Sequence, residues 1–174
     1  MKRNINSKRT FIILFLIIFA GALIPSRFVV STSASLEHRI FILNHTPDVS
    51  RIKKGSYVVF YLDESDKFYG GKRLIKRVSC DEGSVLKVTE KMVFYREGKE
   101  TKKELRKQYF CDGEYLGEAL THTSKGDKLS NFVYNGKIPE GYVFVTGTHP
   151  RSYDSRYWGL LKKTDIIALA YPVY

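Results

Sequence analysis

The sequence predicts a mainly β domain of antiparallel sheet, preceded by one N-terminal transmembrane helix. Residues 11–24 form an unbroken apolar run, FIILFLIIFAGALI, which predicts the helix. Short segments rich in β-branched and aromatic residues, such as 56–62 and 142–146, recur along the remaining chain and are typical of strands. Helical periodicity is absent outside the apolar run, so the rest of the chain is assigned to sheet and turns.

The apolar run has fourteen residues, which is short for a bilayer span. Residues 25–30 extend it to about the 20 residues that a bilayer core requires, with Arg27 reaching toward the far interface. We therefore assign residues 1–10 to a cytoplasmic tail, 11–30 to a transmembrane anchor and 31–174 to one extracytoplasmic domain. The basic N-terminus predicts that the tail stays inside.

A cleaved secretory signal is the alternative interpretation of the same N-terminal segment. Small residues that could precede a cut occur at 20–22 and again at 31–33. The first of these lies inside the apolar run, and we favour an anchor that is retained.

Composition limits the function classes. The chain of 174 residues is 43% hydrophobic and 14% aromatic, which suffices for a packed core and excludes a disordered chain. Its net charge is +11, of which residues 1–30 contribute +5. Such an excess suits nucleic acid or an anionic lipid surface. No basic cluster is interleaved with aromatic residues, and residues 99–107 mix both charges as a solvated loop or short helix would, so we expect a lipid bilayer and no nucleic acid as partner.

The predicted strands follow one another along the chain. Residues 85–88 and 92–95 are interpreted as a hairpin, and the polar residues 96–129 as a loop region with one strand entering a turn at 109–113. The other predicted strands comprise residues 39–43, 56–62, 74–78, 142–146, 158–161 and 166–170.

The predicted strand 74–78, LIKRV, places two cations side by side in an apolar segment. Side chains alternate across a strand, so Lys76 and Arg77 must point to opposite faces. An edge strand whose charges block aggregation is one explanation. The other is a lysine held in an apolar setting for chemistry, because burial disfavours the ammonium form and lowers its pKa.

Two further stretches favour the chemical explanation. Residues 31–36 read STSASL, and residues 147–159 read GTHPRSYDSRYWG. With the LIKRV strand, they resemble the type I signal peptidase family, and more closely its conjugative-transfer peptidases called TraF. The resemblance covers nearly the whole chain, and its most specific part is the pattern S-x-D-S-R-Y-x-G at 152–159.

The resemblance implies a signal-peptidase-like antiparallel β-sheet domain with a serine–lysine dyad. Ser35 matches the nucleophile and Lys76 its general base, which takes the hydroxyl proton and returns it to the leaving amine. Ser152 matches the serine that orients the lysine. Ser33 matches the residue whose hydroxyl joins the Ser35 backbone N–H in the oxyanion hole. A structural ion-pair network near the site is also implied, formed by Arg77, Asp154 and Arg156.

Several positions depart from the family pattern. Glu37 stands where a proline usually follows the nucleophile, Ser56 replaces an aspartate, and residues 148–150 differ from the Gly-Asp-Asn of general signal peptidases. A Ser–His–Asp triad with His149 and Asp154 is an alternative, although no G-x-S-x-G motif is present.

The two cysteines, Cys80 and Cys111, are too few for a zinc site without nearby partners, so neither a metal nor a cofactor is expected. Outside the cytoplasm they predict a disulfide, and in the cytosol two buried thiols.

The resemblance implies a single-pass protein of the bacterial inner membrane, with its catalytic domain in the periplasm. The predicted function is cleavage of an exported precursor after small residues, the precursor being a conjugative pilin propeptide; some members of this branch also join the new ends. A general type I signal peptidase, or an inactive anchored β domain that assists assembly of a secretion system, are the alternatives. The predicted partners are the precursor, the bilayer and the conjugation machinery.

Overall fold

The computed structural model describes residues 11–15, 27–32 and 35–173 of the chain. Residues 11–15 are helical, with exposed apolar side chains. The first strands of the domain are β1 (Phe28–Val30), β2 (Ile40–Asn44), β3 (Tyr57–Tyr61), β4 (Arg73–Cys80), β5 (Val85–Glu97) and β6 (Glu100–Cys111). They are followed by β7 (Glu114–Ala119), β8 (Gly136–Lys137), β9 (Tyr142–Thr146), the single-turn helix α1 (Ser155–Trp158), β10 (Leu161–Lys162) and β11 (Ile166–Pro172).

The described strands form two sheets. Seven strands are ordered β1-β2-β11-β3-β4-β9-β10, and four are ordered β7-β6-β5-β8. The strand pairs are antiparallel, so the predicted antiparallel, mainly β fold class is confirmed.

Strand β3 forms the middle of the larger sheet because both of its faces are buried. Val58 and Phe60 pack into one hydrophobic cluster, together with Val78 of β4 and Val145 of β9. Val59, one position along, packs into a second cluster on the other face. The alternation of a strand therefore places β3 between two apolar layers, which explains its near-continuous β-branched and aromatic sequence.

A third cluster joins the two sheets. It contains the end of β4 and the start of β5, with Tyr109, Ile138 and Phe144 fully or almost fully buried within it. Because β4 contributes to this cluster and also pairs with both β3 and β9, it connects the two halves of the domain.

The predicted hairpin of residues 85–88 and 92–95 is wrong. Residues 85–97 form one continuous strand, and its partner is β6, in a stretch that we predicted to be mostly loop. The turn lies instead at Gly98, whose φ of +61° favours glycine. Strand β5 keeps exposed apolar side chains, among them Met92, Phe94 and Tyr95, but the polar residues 89–91 divide its sequence into two apolar segments. The first half of β6 is mostly exposed and rich in charged residues, so it shows no apolar alternation from which a strand could be predicted.

The N-terminal boundary of the domain also differs from the prediction. Phe28–Val30, which we assigned to the end of the anchor, form β1 and pair with residues 40–42 of β2. Their backbone hydrogen bonds go to a neighbouring strand, so they belong to the sheet. Most of the predicted anchor lies outside the described residues.

Within the described ranges, no helix is long and apolar enough to span a membrane.

Cys80 and Cys111 form a disulfide, as predicted for an exported domain. The bond joins the last residue of β4 to the last residue of β6, and both cysteines are fully buried. It therefore links the two sheets covalently across the third cluster.

Removal of this disulfide should lower the free energy of unfolding by about 3–4 kcal/mol, because the bond closes a loop of 31 residues in the unfolded chain. The double variant Cys80→Ala/Cys111→Ala is compared with wild type by urea unfolding under oxidising conditions. Under reducing conditions the difference in the free energy of unfolding between the two proteins should shrink to the small contribution of the two lost sulfurs. In a gel, reduced wild type should migrate more slowly than oxidised wild type. An unchanged urea midpoint would contradict a stabilising role.

Candidate active site

Lys76 lies in the middle of β4, opposite Val58 of β3, and its side chain is only 4% exposed. Arg77 is exposed on the other face. The alternation expected from the sequence therefore places the lysine inside the domain and the arginine in solvent.

Burial controls the protonation of Lys76. Removal from water disfavours the ammonium ion and lowers the pKa of Lys76 to about 8. The carboxylate of Asp154 acts in the opposite direction, and the guanidinium of Arg156 adds to the lowering. A large fraction of this lysine is therefore the neutral amine near pH 8, a form that accepts protons.

Ser152 holds the end of the lysine side chain. The Nζ atom of Lys76 donates a hydrogen bond of 2.8 Å to Oγ of Ser152, which is itself buried. The loop that carries Ser152 connects β9 to α1, so the contact joins residues 76 positions apart in the chain. This contact restricts where the amine can point.

Ser35 and Lys76 line the same cavity, whose volume is about 340 Å³. Val29 of β1 and residues 74 and 75 of β4 also line it. Ser33, predicted to contribute to an oxyanion hole, lies outside the described residues.

The backbone of Ser35 is hydrogen-bonded to the loop after β9. Its carbonyl oxygen accepts hydrogen bonds from the backbone N–H groups of Thr148, at 2.8 Å, and His149, at 3.4 Å. The same loop carries Ser152. One loop thus positions both the serine and, through Ser152, the lysine.

Gly147 is required for this arrangement, and the sequence reasoning missed it. A Cβ atom at this position would overlap Oγ of Ser152 and the carbonyl oxygen of Ser35, and would lie 2.7 Å from Cβ of Ser152. The sequence offered one signal, a glycine that directly follows a predicted strand. The need for glycine at this position comes from Ser35, which is more than a hundred residues away in the chain.

Gly147→Ala should lower kcat/KM for precursor cleavage by about 100-fold, since a displacement near 1 Å at the reacting groups has an effect of that size. The protein should remain folded. Gly55→Ala is the matched control, because Gly55 has a φ of +94° but no atom within 4 Å of the added Cβ. That control should lose about 1 kcal/mol of stability and keep its activity. Equal activity of the two variants would show that the close contact is unimportant.

Asp154 and Arg156 form a buried ion pair beneath the loop. Nε of Arg156 donates to Oδ1 of Asp154 at 2.8 Å, and Nη2 donates to Oδ2 at 2.7 Å. Oδ2 also accepts the backbone N–H of Gly147, and the guanidinium donates to the carbonyl oxygens of Glu118 and Ser152. The pair therefore connects the serine-bearing loop to β7 of the smaller sheet.

Arg77 does not belong to this network. Its side chain is exposed, and in the described part of the chain its guanidinium makes no ion pair within 4.0 Å. The sequence resemblance grouped it with Asp154 and Arg156, but Arg77 lies on the opposite face of β4.

The alternative triad is not assembled. Nδ1 of His149 accepts a hydrogen bond from the backbone N–H of Arg151. The carboxylate of Asp154 accepts hydrogen bonds from the guanidinium of Arg156 and the backbone N–H of Gly147. No hydrogen bond joins His149 to Asp154 in the described residues. The same residues contain no group of three His, Cys, Asp or Glu side chains that could hold a metal ion.

The structure thus brings Ser35 and Lys76 together at one cavity in an antiparallel β domain. Ser152 accepts a hydrogen bond from Lys76, and the buried ion pair of Asp154 and Arg156 lies in the same loop region. A buried, partly neutral lysine beside serine hydroxyls is typical of serine hydrolases that use an amine as base.

Comparison with known families agrees with this class. The family model described as "Signal peptidase, peptidase S26" matches residues 4–174. The match spans nearly the whole chain, so the protein belongs to this family of serine peptidases. A search of the curated proteins found no match.

Proposed function

We propose that this protein is a membrane-anchored serine endopeptidase in which Ser35 is the nucleophile and Lys76 the general base. The observation that carries the proposal is the state of Lys76: its amine is buried, has a pKa lowered to about 8, and shares one cavity with Ser35. A structural lysine would be expected to pair with a carboxylate, whereas this amine donates to the neutral hydroxyl of Ser152.

The reaction follows from these positions. Neutral Lys76 takes the proton of the Ser35 hydroxyl as the oxygen attacks the scissile carbonyl, and it then gives that proton to the leaving amine. Water releases the acyl group from Ser35 in a second step, again with Lys76 as base. We propose that the Ser35 backbone N–H and the Ser33 hydroxyl stabilise the oxyanion, each donor contributing about 3 kcal/mol to the transition state.

The edge of β4 offers a place for the substrate backbone. Strand β9 pairs with β4 only at residues 77, 78 and 80, so the part of β4 that contains Leu74 and Ile75 is not covered by β9 and borders the cavity. An extended peptide can add to such an edge through its backbone. The apolar walls formed by Val29, Leu74 and Ile75 suit small apolar side chains next to the cut bond, in keeping with the proposed cleavage after small residues.

We further propose that the domain lies at the periplasmic surface of the inner membrane. Phe28, Ile42 and Tyr171 are paired side by side across β1, β2 and β11, and all three are exposed. This apolar row begins at Phe28, directly after Arg27 and within the segment 11–30 that we assigned to the anchor. The disulfide also suits an oxidising compartment.

The proposed substrate is a conjugative pilin precursor. The support is the resemblance of residues 147–159 to the conjugative-transfer branch. The test is co-expression of the full chain with either a pilin precursor or an ordinary secretory precursor. Preferential cleavage of the pilin precursor is expected. Equal cleavage of both would indicate a general signal peptidase, and cleavage of neither would favour an assembly factor.

The pH dependence of kcat/KM tests the proposed base. Because the neutral amine is the active form, activity should rise with pH and level off above about pH 8. The measurement uses the full chain in detergent micelles with a fluorogenic peptide containing Ala-x-Ala before the cut bond. A profile that levels off near pH 6.5 would indicate a histidine base and would contradict the dyad.

A further inference from the structure

A second cavity, of about 390 Å³, adjoins the cavity that holds Ser35 and Lys76. The two cavities share four wall residues: Tyr69, Lys72, Arg151 and Tyr153. Two of these belong to the loop that carries Ser152. A peptide that lies in the first cavity can therefore continue into the second.

The wall of the second cavity carries an excess of positive charge. Three cations line it: Lys72, Lys125 and Arg151. One carboxylate, Asp127, faces them in the described residues, and its Oδ1 lies 3.7 Å from Nζ of Lys67, which is not part of the wall. Since Lys67 partly balances Asp127, the cavity attracts anions.

A stack of aromatic rings forms the other part of the wall. The ring centroids of Tyr69 and Tyr153 are 5.2 Å apart, and those of Tyr153 and Tyr157 are 5.1 Å apart. The hydroxyl of Tyr153 donates to Asp66 at 2.7 Å, so its polar end is occupied. Nζ of Lys72 lies 5.2 Å from the centre of the Tyr69 ring, a cation–π distance. These rings provide a rigid apolar surface for the methylene groups of a bound side chain.

We propose that this cavity is a second substrate subsite that binds an acidic side chain of the precursor, away from the cut bond. The carboxylate would accept hydrogen bonds from Arg151 and Lys125, while its stem packs on the tyrosine rings. This inference rests on the proposed peptidase function and adds a charge preference to it.

The test compares peptides that carry Asp or Asn at one position at a time, on both sides of an Ala-x-Ala cut site, with the full chain in detergent micelles. At one or two adjacent positions, Asp should raise kcat/KM five- to tenfold over Asn. This advantage should decrease between 50 mM and 0.5 M NaCl, because both partners are solvent-accessible and salt screens them. Lys125→Glu leaves two cations and two carboxylates in the wall, so the preference for Asp over Asn should disappear.

Lys128→Glu is the matched control. Lys128 is exposed in the same loop but does not line the cavity, so this variant should keep the wild-type preference for Asp. Equal cleavage of Asp and Asn peptides at every position would overturn the subsite and leave the peptidase proposal intact. An unchanged preference in Lys125→Glu would likewise overturn it. A wild-type protein that cleaves no peptide would overturn both proposals.

Discussion

Replacing Lys76 with methionine should abolish precursor processing and, at pH 7, make the protein more stable. The loss of the base should lower kcat/KM by about 10³-fold or more. Methionine has a similar shape and no charge to desolvate, so the free energy of unfolding should rise by about 1–2 kcal/mol, after the lost hydrogen bond to Ser152 is subtracted. Activity is measured with the fluorogenic peptide and stability by urea unfolding.

The stability gain should depend on pH with a defined sign. The pKa of Lys76 is lower in the folded protein, about 8, than the ordinary lysine value of 10.5, so between these values the unfolded chain binds more protons. The stability of wild type relative to Lys76→Met therefore rises with pH across this window. The gain should be largest below pH 8 and should be lost before pH 10.5, where only the missing hydrogen bond to Ser152 distinguishes the two proteins.

Two variants control this experiment. Lys87→Met changes an exposed lysine of β5. It should leave kcat/KM unchanged and alter the free energy of unfolding by no more than about 0.5 kcal/mol. Ser35→Ala should lose activity without the pH-dependent gain in stability. A Lys76→Met protein that still cleaves the peptide would rule out the dyad. A destabilised, inactive Lys76→Met protein would instead indicate that the lysine is held by structural contacts.

Asp154→Ala should lower the free energy of unfolding by about 3–5 kcal/mol, because it leaves the guanidinium of Arg156 buried without its partner. The free energy of unfolding of a typical domain is only about 5–15 kcal/mol in total, so the loss would be a large part of it. The backbone N–H of Gly147 also loses its acceptor, and the loop that carries Ser152 should lose its position. Urea unfolding followed by the fluorescence of Trp158 measures the effect.

An exposed ion pair offers the matched control. Lys54 and Glu114 lie 2.6 Å apart, as close as the buried pair, but both are exposed. Glu114→Ala should therefore cost less than about 1 kcal/mol. The double variant Asp154→Leu/Arg156→Met should recover part of the lost stability, since it removes both buried charges. A cost below 1 kcal/mol for Asp154→Ala would show that water or another group satisfies Arg156.

The elements that the sequence predicted well are those with a buried face. Strands β3 and β9 were expected within one residue of their bounds, because β-branched and aromatic side chains mark a strand that packs on its neighbours. The alternation of side chains along a strand also placed Lys76 and Arg77 on opposite faces. The ribbon of β5 and β6 was missed because the polar residues 89–91 divide the apolar segments of β5 and suggested a turn there. The first half of its partner β6 is exposed and largely charged, so it has no apolar alternation that marks a strand.

The sequence by itself determined a β domain, two cysteines suited to a disulfide, and a lysine forced to one face of an apolar strand. Only the tertiary structure decided that Ser35 and Lys76 border one cavity and that Ser152 holds the lysine amine. It also decided that Gly147 must have no side chain and that Arg77 stays apart from Asp154. The reason is that local periodicity specifies which face a side chain occupies. Which distant residues meet on that face depends on strand order and register, and these are set by the packing of the whole sheet.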